Sequence, residues 1–198
     1  MTNLAERARR LNPGMRTGFA LMTDHKRLPD PLPLLPLLPP GSLVILRHYD
    51  TPERATLARA LRKACRARRL ILLIADDFDL AVAFDAGLHL PEGRARNAGA
   101  RIRLWHRRTK AKLSVAAHSR IAVRRAAQLG ADITLLSPVF ATASHPDAVP
   151  LGIARFRALV RGARIPIWAL GGVTGRTLRM LANSGAAGIA TVGNLTHD

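Results

Sequence analysis

The residues able to do chemistry in this 198-residue chain cluster just after its short apolar runs. Arg47, His48 and Tyr49 close one run, and Asp76, Asp77 and Asp79 follow the next. His118 and Ser119 close a third, while Ser137, Thr142, Ser144 and His145 trail a fourth. Gly171-Gly172 and Gly193-Asn194 end the last two. An imidazole such as His118 can take and return a proton near neutral pH. It can equally sit at a helix entrance bonding a backbone group, and the residues leave both open. Glycines after a strand let backbone N–H groups approach an anion, and a helix opening at Gly193-Asn194 would favour a phosphate. Tight turns needing positive φ would also explain Gly171 and Gly172. Because both loops agree, phosphate binding is expected there. Oxygen ligands among Asp76–Asp79 could hold Mg2+. Asp79 is expected instead to cap a helix over Leu80–Asp85. His48 and His145 are expected to be solvated and His89 packed. No local spacing motif supports a zinc site.

These groups need a frame. Eight short apolar runs read as buried parallel strands: Phe19–Thr23, Leu43–Arg47, Leu70–Ile74, Gly87–Leu90, Leu113–Ala117, Ile133–Leu136, Ile167–Leu170 and Gly188–Val192. Helical patterns lie between them. Glu53–Arg68 aligns Leu57, Leu61 and Ala64, and Gly152–Val160 aligns Ile153, Phe156 and Val160. Ser119 and Gly130 bracket Arg120–Leu129, and Thr174 and Gly185 bracket Gly175–Ser184. Repeated strand–helix alternation in under 200 residues favours a compact (β/α)8 TIM barrel over an open doubly wound sheet. A single domain over residues 1–198 is expected. Pro29–Pro40, with six prolines, forbids a long first helix, although Pro33 can open a turn through Leu34–Leu38. The last outer helix is expected to be missing. The exposed flank is left to Met1–Leu11, to a partner subunit in a homodimer, or to solvent.

The formal charge is +18, from 31 Lys and Arg against 13 Asp and Glu. Arginine supplies 27 of those cations, dispersed from Arg7 to Arg179, and only eight aromatics are present. Dispersal and scarce stacking groups argue against nucleic acid as a partner. A lone Cys65 argues against disulfides and thiolate metal sites and fits a reduced cytoplasm. No apolar stretch is long enough to span a bilayer, and the N-terminus does not read as a secretory signal.

Leu129–Gly152 (LGADITLLSPVFATASHPDAVPLG) and the following IPIWALGGVT resemble the thiamine phosphate synthase/TenI family. So do Leu21–Asp24, Leu72–Ala81 (LLIADDFDLA) and Gly87–Leu90, which together run over nearly the whole chain. The resemblance implies a thiamine-biosynthesis barrel that binds a thiazole phosphate. Its TenI-like form, a thiazole tautomerase or a related ligand-binding barrel, implies His118 for proton transfer and no cofactor. Phosphate contacts then fall to Gly171, Gly172, Gly193 and Asn194 with Thr142, and a substrate carboxylate to Arg47. The synthase form couples a pyrimidine diphosphate to the thiazole phosphate, and implies Mg2+ on Asp76. Several positions depart from that form. Ile45 and Tyr49 stand where the family pattern has Gln and Lys, and Ala75 precedes Asp76. A second metal carboxylate is absent from His89–Arg94, Ala116 and Gly193 replace serines, and His145 replaces a lysine. Arg94, Arg96 and His145 remain open as replacement cations. The tautomerase-like reading is the main expectation. Synthase and a non-catalytic regulatory or scaffold barrel are the alternatives.

Overall fold

The computed structural model describes residues 4–9, 18–49, 51–142, 147–193 and 195. Eight parallel strands close into a barrel in chain order: β1 (Gly18–Met22), β2 (Leu43–Leu46), β3 (Ile71–Ala75), β4 (Gly87–Leu90), β5 (Leu113–Ala117), β6 (Ile133–Leu136), β7 (Ile167–Leu170) and β8 (Gly188–Val192). Closure is made by β1 against β8, registered from Gly18↔Gly188 to Met22↔Val192. Around them run α1 (Leu4–Arg9), α2 (Arg54–Ala67), α3 (Phe78–Ala83), α4 (Glu92–Arg96), α5 (Ala100–Thr109), α6 (Arg120–Leu129), α7 (Gly152–Arg161) and α8 (Gly175–Leu178). Among the described residues no helix is long and apolar enough to cross a membrane.

The strands are apolar throughout because both of their faces are buried. Phe19, Leu21, Val44, Leu46, Leu72 and Ile74 face the helices. Their alternating neighbours Ala20, Met22, Leu43, Ile45 and Leu73 fill the lumen with Leu135 and Trp168. The Trp168 indole occupies the space that side chains at Gly18 and Gly188 would take, since a Cβ on either would fall inside the ring. Two glycines paired across the closing seam and one large residue opposite them therefore fill this layer jointly.

The element boundaries differ from expectation where a polar group takes a ladder bond. Leu70 is not the start of β3, because its N–H bonds the Cys65 carbonyl and closes the end of α2. Arg47 is not in β2, because its N–H donates to Thr23 Oγ1 at 3.0 Å. Asp77, not Asp79, caps α3: its Oδ1 accepts the Leu80 N–H at 2.9 Å, and Asp79 pairs with Arg101. The expected Gly175–Ser184 helix stops at Leu178 and continues as a 3-10 turn over Arg179–Leu181. Thr174 does cap it, in a reciprocal bond pair with Thr177.

The proline-rich segment forms a 3-10 turn over Leu32–Leu37 that buries Leu35, so the first outer helix is shortened as its composition requires. Helix α1 covers the flank beside β1, with the Leu4 N–H on the Leu195 carbonyl and Arg7 on the Gly175 carbonyl. Among the described residues the N-terminal helix lies on this flank. Helices α4 and α5 were not anticipated, and α5 buries none of its residues.

His48 is a correction: it is buried, not solvated. The Pro29 carbonyl can only accept, so Nε2–H donates to it at 3.2 Å, and Nδ1 accepts from Thr23 Oγ1 at 2.8 Å. Burial pushes its pKa down. His89 is packed, with Nδ1 2.8 Å from Ser114 Oγ. Burial, aided by the nearby charge of Arg47, lowers its pKa to about 3.

Two outcomes follow from this packing. Gly188→Val forces the indole aside and costs about 1–3 kcal/mol, read by urea unfolding. Trp168→Leu in the same background restores part of the loss. His89 takes a proton in the unfolded chain below its ordinary value of 6.5 but in the fold only near 3. Stability therefore falls as pH drops through that window, by up to about 1.4 kcal/mol per pH unit from this group. His89→Gln flattens the slope of unfolding free energy against pH between 6 and 4; a slope equal to that of the parent chain contradicts it.

Candidate functional site

The C-terminal ends of the strands surround a cleft of about 440 Å³. Its walls include Arg27 after β1, Arg47 after β2, His118 after β5, Ser137 and Thr142 after β6, and Gly171 and Gly172 after β7. Arg47, His118, Thr142, Gly171 and Gly172 are therefore brought together as the sequence indicated. Gly193 lies outside the lining, in a positive-φ turn beside the Arg27 carbonyl. Asn194, Ser144 and His145 lie outside the described residues.

His118 is exposed and sits between β5 and α6, where Ser119 Oγ accepts the Ala122 N–H at 3.2 Å. Its Nδ1 is 2.8 Å from the Ser137 carbonyl oxygen and 3.3 Å from Ser137 Oγ. A carbonyl only accepts, so Nδ1 carries the hydrogen. In the neutral ring Nε2 then holds the lone pair, and it has no hydrogen-bond partner among the described residues. One nitrogen of His118 thus bonds a backbone group, and the ring lies on the cleft wall.

The two glycines of the β7 loop have a packing cause that is independent of any ligand. Gly171 and Gly172 have φ of 91° and 63°. A Cβ on Gly171 would come within 2.9 Å of Pro138 Cα, and one on Gly172 would collide with the Ala141 carbonyl. This close fit holds the backbone of the β7 loop against the β6 loop, on the cleft wall.

Arg27 was missed because an arginine in a short polar turn reads as solvated. Asp24 Oδ1 accepts the N–H groups of Lys26 and Arg27, each at 3.1 Å, and Oδ2 takes the Arg27 guanidinium at 3.1 Å. Burial opposes ionisation of Asp24, but these bonds outweigh it and hold the carboxyl at about 2. The Asp-to-Arg spacing of three residues after a strand was the available signal. Arg47 and Arg54 both approach the Tyr49 ring, at 5.9 and 5.6 Å.

The acidic residues after β3 are already met by cations. Asp76, in a positive-φ conformation, is 2.9 Å from Arg94 Nε and does not line the cleft. Asp77 caps α3 and faces Arg54 at 3.4 Å. Arg96 pairs with Glu92 at 3.3 Å. Among the described residues no group of three or more His, Cys, Asp or Glu could hold a metal ion. Asp76, the carboxylate the synthase form would use, thus lies beside a cation in this structure. Arg94 and Arg96, open as replacement cations, are each engaged by a carboxylate.

A family model described as thiamine monophosphate synthase matches residues 37–195. A "Putative thiamine-phosphate synthase 2" of Aquifex aeolicus is 34% identical over 155 residues, covering 76% of this chain and 80% of its own. A thiamine-phosphate synthase of Levilactobacillus brevis is 36% identical over 150 residues, covering 74% and 69%. Among solved structures, a thiamine phosphate pyrophosphorylase from Pyrococcus furiosus superposes with a TM-score of 0.72. That likeness spans 89% of this chain and 88% of the other at 22% identity, and so concerns the fold alone. On the matched length and the identity of these relatives, the chain belongs to the thiamine monophosphate synthase family.

Proposed function

We propose that the cleft binds a thiazole phosphate and that His118 isomerises it by proton transfer. The observation that carries this reading is the His118–Ser137 hydrogen bond, which leaves Nε2 without a partner among the described residues, on a ring that lines the cleft. A tautomerase needs one proton removed from a ring carbon and one delivered to a second ring position. Nε2 takes the first, forming an imidazolium whose Nδ1–H stays on the Ser137 carbonyl, and then returns it. Atoms and charge balance without a cofactor. The backbone of Gly171 and Gly172, with Thr142, supports the phosphate, and Arg47 meets the ring carboxylate. Gly193 and Asn194 complete the phosphate contacts on the strength of the family resemblance. Anchoring both anions fixes the ring against Nε2, which is where most of the rate gain from orientation would arise.

The second reading is thiamine-phosphate synthase, and the names of the relatives favour it. It calls for Mg2+ with Asp76 as ligand, to neutralise a departing pyrophosphate. The pairing of Asp76 with Arg94 weighs against that role, and no step is routed through the ion.

One pair of assays separates the two. With thiazole carboxylate phosphate the protein accelerates isomerisation, and His118→Ala lowers the rate by at least about 100-fold. Unchanged turnover in that variant removes His118 from the reaction. Thiamine phosphate formed from pyrimidine diphosphate, thiazole phosphate and Mg2+ establishes the synthase reading instead. For the phosphate contact, Gly172→Ala weakens titrated inorganic phosphate about 10-fold, or ~1.4 kcal/mol; equal affinity in the variant takes this loop out of the binding site.

A further inference from the structure

We propose that Glu92 is a positioning residue for His118. The inference rests on the reading of His118 as the proton carrier. Glu92 opens α4, directly after β4 and Pro91, and its side chain is only 17% exposed. From there it crosses to the end of the next strand, where Oε2 accepts the His118 backbone N–H at 2.9 Å. Its other oxygen, Oε1, takes Arg96 at 3.3 Å, one turn along the same helix. The carboxylate is thereby held at both oxygens, one of them on the residue that carries the base.

The position of that N–H gives the contact its meaning. Strand β5 ends at Ala117, whose carbonyl still accepts the Ser137 N–H from β6. One residue later the sheet no longer meets the His118 N–H, and a charged side chain takes it. A bond to an ionised acceptor is stronger than one between neutral groups. His118 is then fixed from two sides: Glu92 on the β4 side holds its main chain, and the Ser137 carbonyl on the β6 side holds its ring at 2.8 Å. Ser119 caps α6 immediately afterwards, its side chain accepting the Ala122 N–H. With the main chain fixed, the ring meets the Ser137 carbonyl through Nδ1, and the lone pair is confined to Nε2. Without Glu92 the strand end is free to turn, and the ring loses its single orientation. Glu92 touches no reacting atom in this account. It acts through His118.

Three variants test this: Glu92→Ala, which removes the acceptor; Glu92→Asp, one methylene too short to reach; and Glu92→Gln, which keeps an acceptor oxygen. Two readouts are taken, isomerisation kinetics and 15N NMR of the His118 imidazole near neutral pH. Misplacing the base lowers kcat about 10- to 100-fold in the Ala and Asp variants, with KM within about twofold of the parent. Glu92→Gln restores most of kcat. In the parent protein the imidazole gives the pattern of a single tautomer hydrogenated at Nδ1, and in Glu92→Ala and Glu92→Asp it gives a mixture. Parent kcat together with a parent imidazole spectrum in both shortened variants overturns the inference. A fall in KM-dependent binding with kcat untouched overturns it too, since that would place Glu92 on the substrate. If His118→Ala is fully active, the proposed function fails on its own, and the NMR readout still decides whether Glu92 orients the ring.

Discussion

A closed barrel of eight strands leaves a lumen that must be filled by side chains from the strands themselves, and everything at the mouth depends on that filling. Here the closing seam, β1 on β8, pairs Gly18 with Gly188 and gives the vacated volume to Trp168 from β7. One indole thus sets how closely three strands approach at the N-terminal end of the barrel. Their other ends carry Arg27, the β7 glycines and the β8 turn. Cleft geometry is therefore tied to a packing event on the far side of the sheet. A change in the seam would move the β7 loop relative to β6, and Gly171 and Gly172 have little room to follow, given Pro138 and Ala141 beside them.

Above the packed layer, the strand ends are joined by side chains that take over where ladder bonds stop. Thr23 Oγ1 accepts the Arg47 N–H and reaches His48, whose other nitrogen ties the Pro29 carbonyl. Asp24 closes the next turn and carries Arg27. Glu92 and Ser137 do the same on either side of His118. These polar links span neighbouring strands, so they align one strand's functional residue with the next. At the buried Thr23–His48 link, a polar group left without its partner costs more than the bond itself gives.

What was legible in the sequence follows from the same physics. Strands buried on both faces are apolar without interruption, so all eight were visible, with shifts of one residue at β1 (Gly18–Met22 for the expected Phe19–Thr23), β2 and β3. Helix α6 was visible through its apolar stripe and its two caps. Helix α5 was not, because it buries none of its residues and presents arginines along most of its length. Asp77 and Asp79 are both sound cap residues, and only the backbone at Asp77, extended at φ −139°, decides between them. His48 was misread because burial of a loop histidine depends on the proline-rich segment folding over it. The cleft residues at strand ends were found from the topology rule alone. Arg27 and Glu92 were not, since each acts through a partner distant in space or in a turn.

The charge of +18 acquires a different meaning once the partners are known. A divalent cation is attracted by carboxylates whose charge is not already balanced. At this mouth Asp76, Asp77 and Glu92 face Arg94, Arg54 and Arg96 respectively, so each of these carboxylates already has a cation beside it. Part of the arginine excess thus serves in local ion pairs at the strand ends. Arg47 also lies on the cleft wall, and Arg27 lies there paired with Asp24. The proposed proton transfer at His118 leaves these ion pairs in place, whereas the synthase reading, which the names of the relatives favour, requires Asp76 and Arg94 to part.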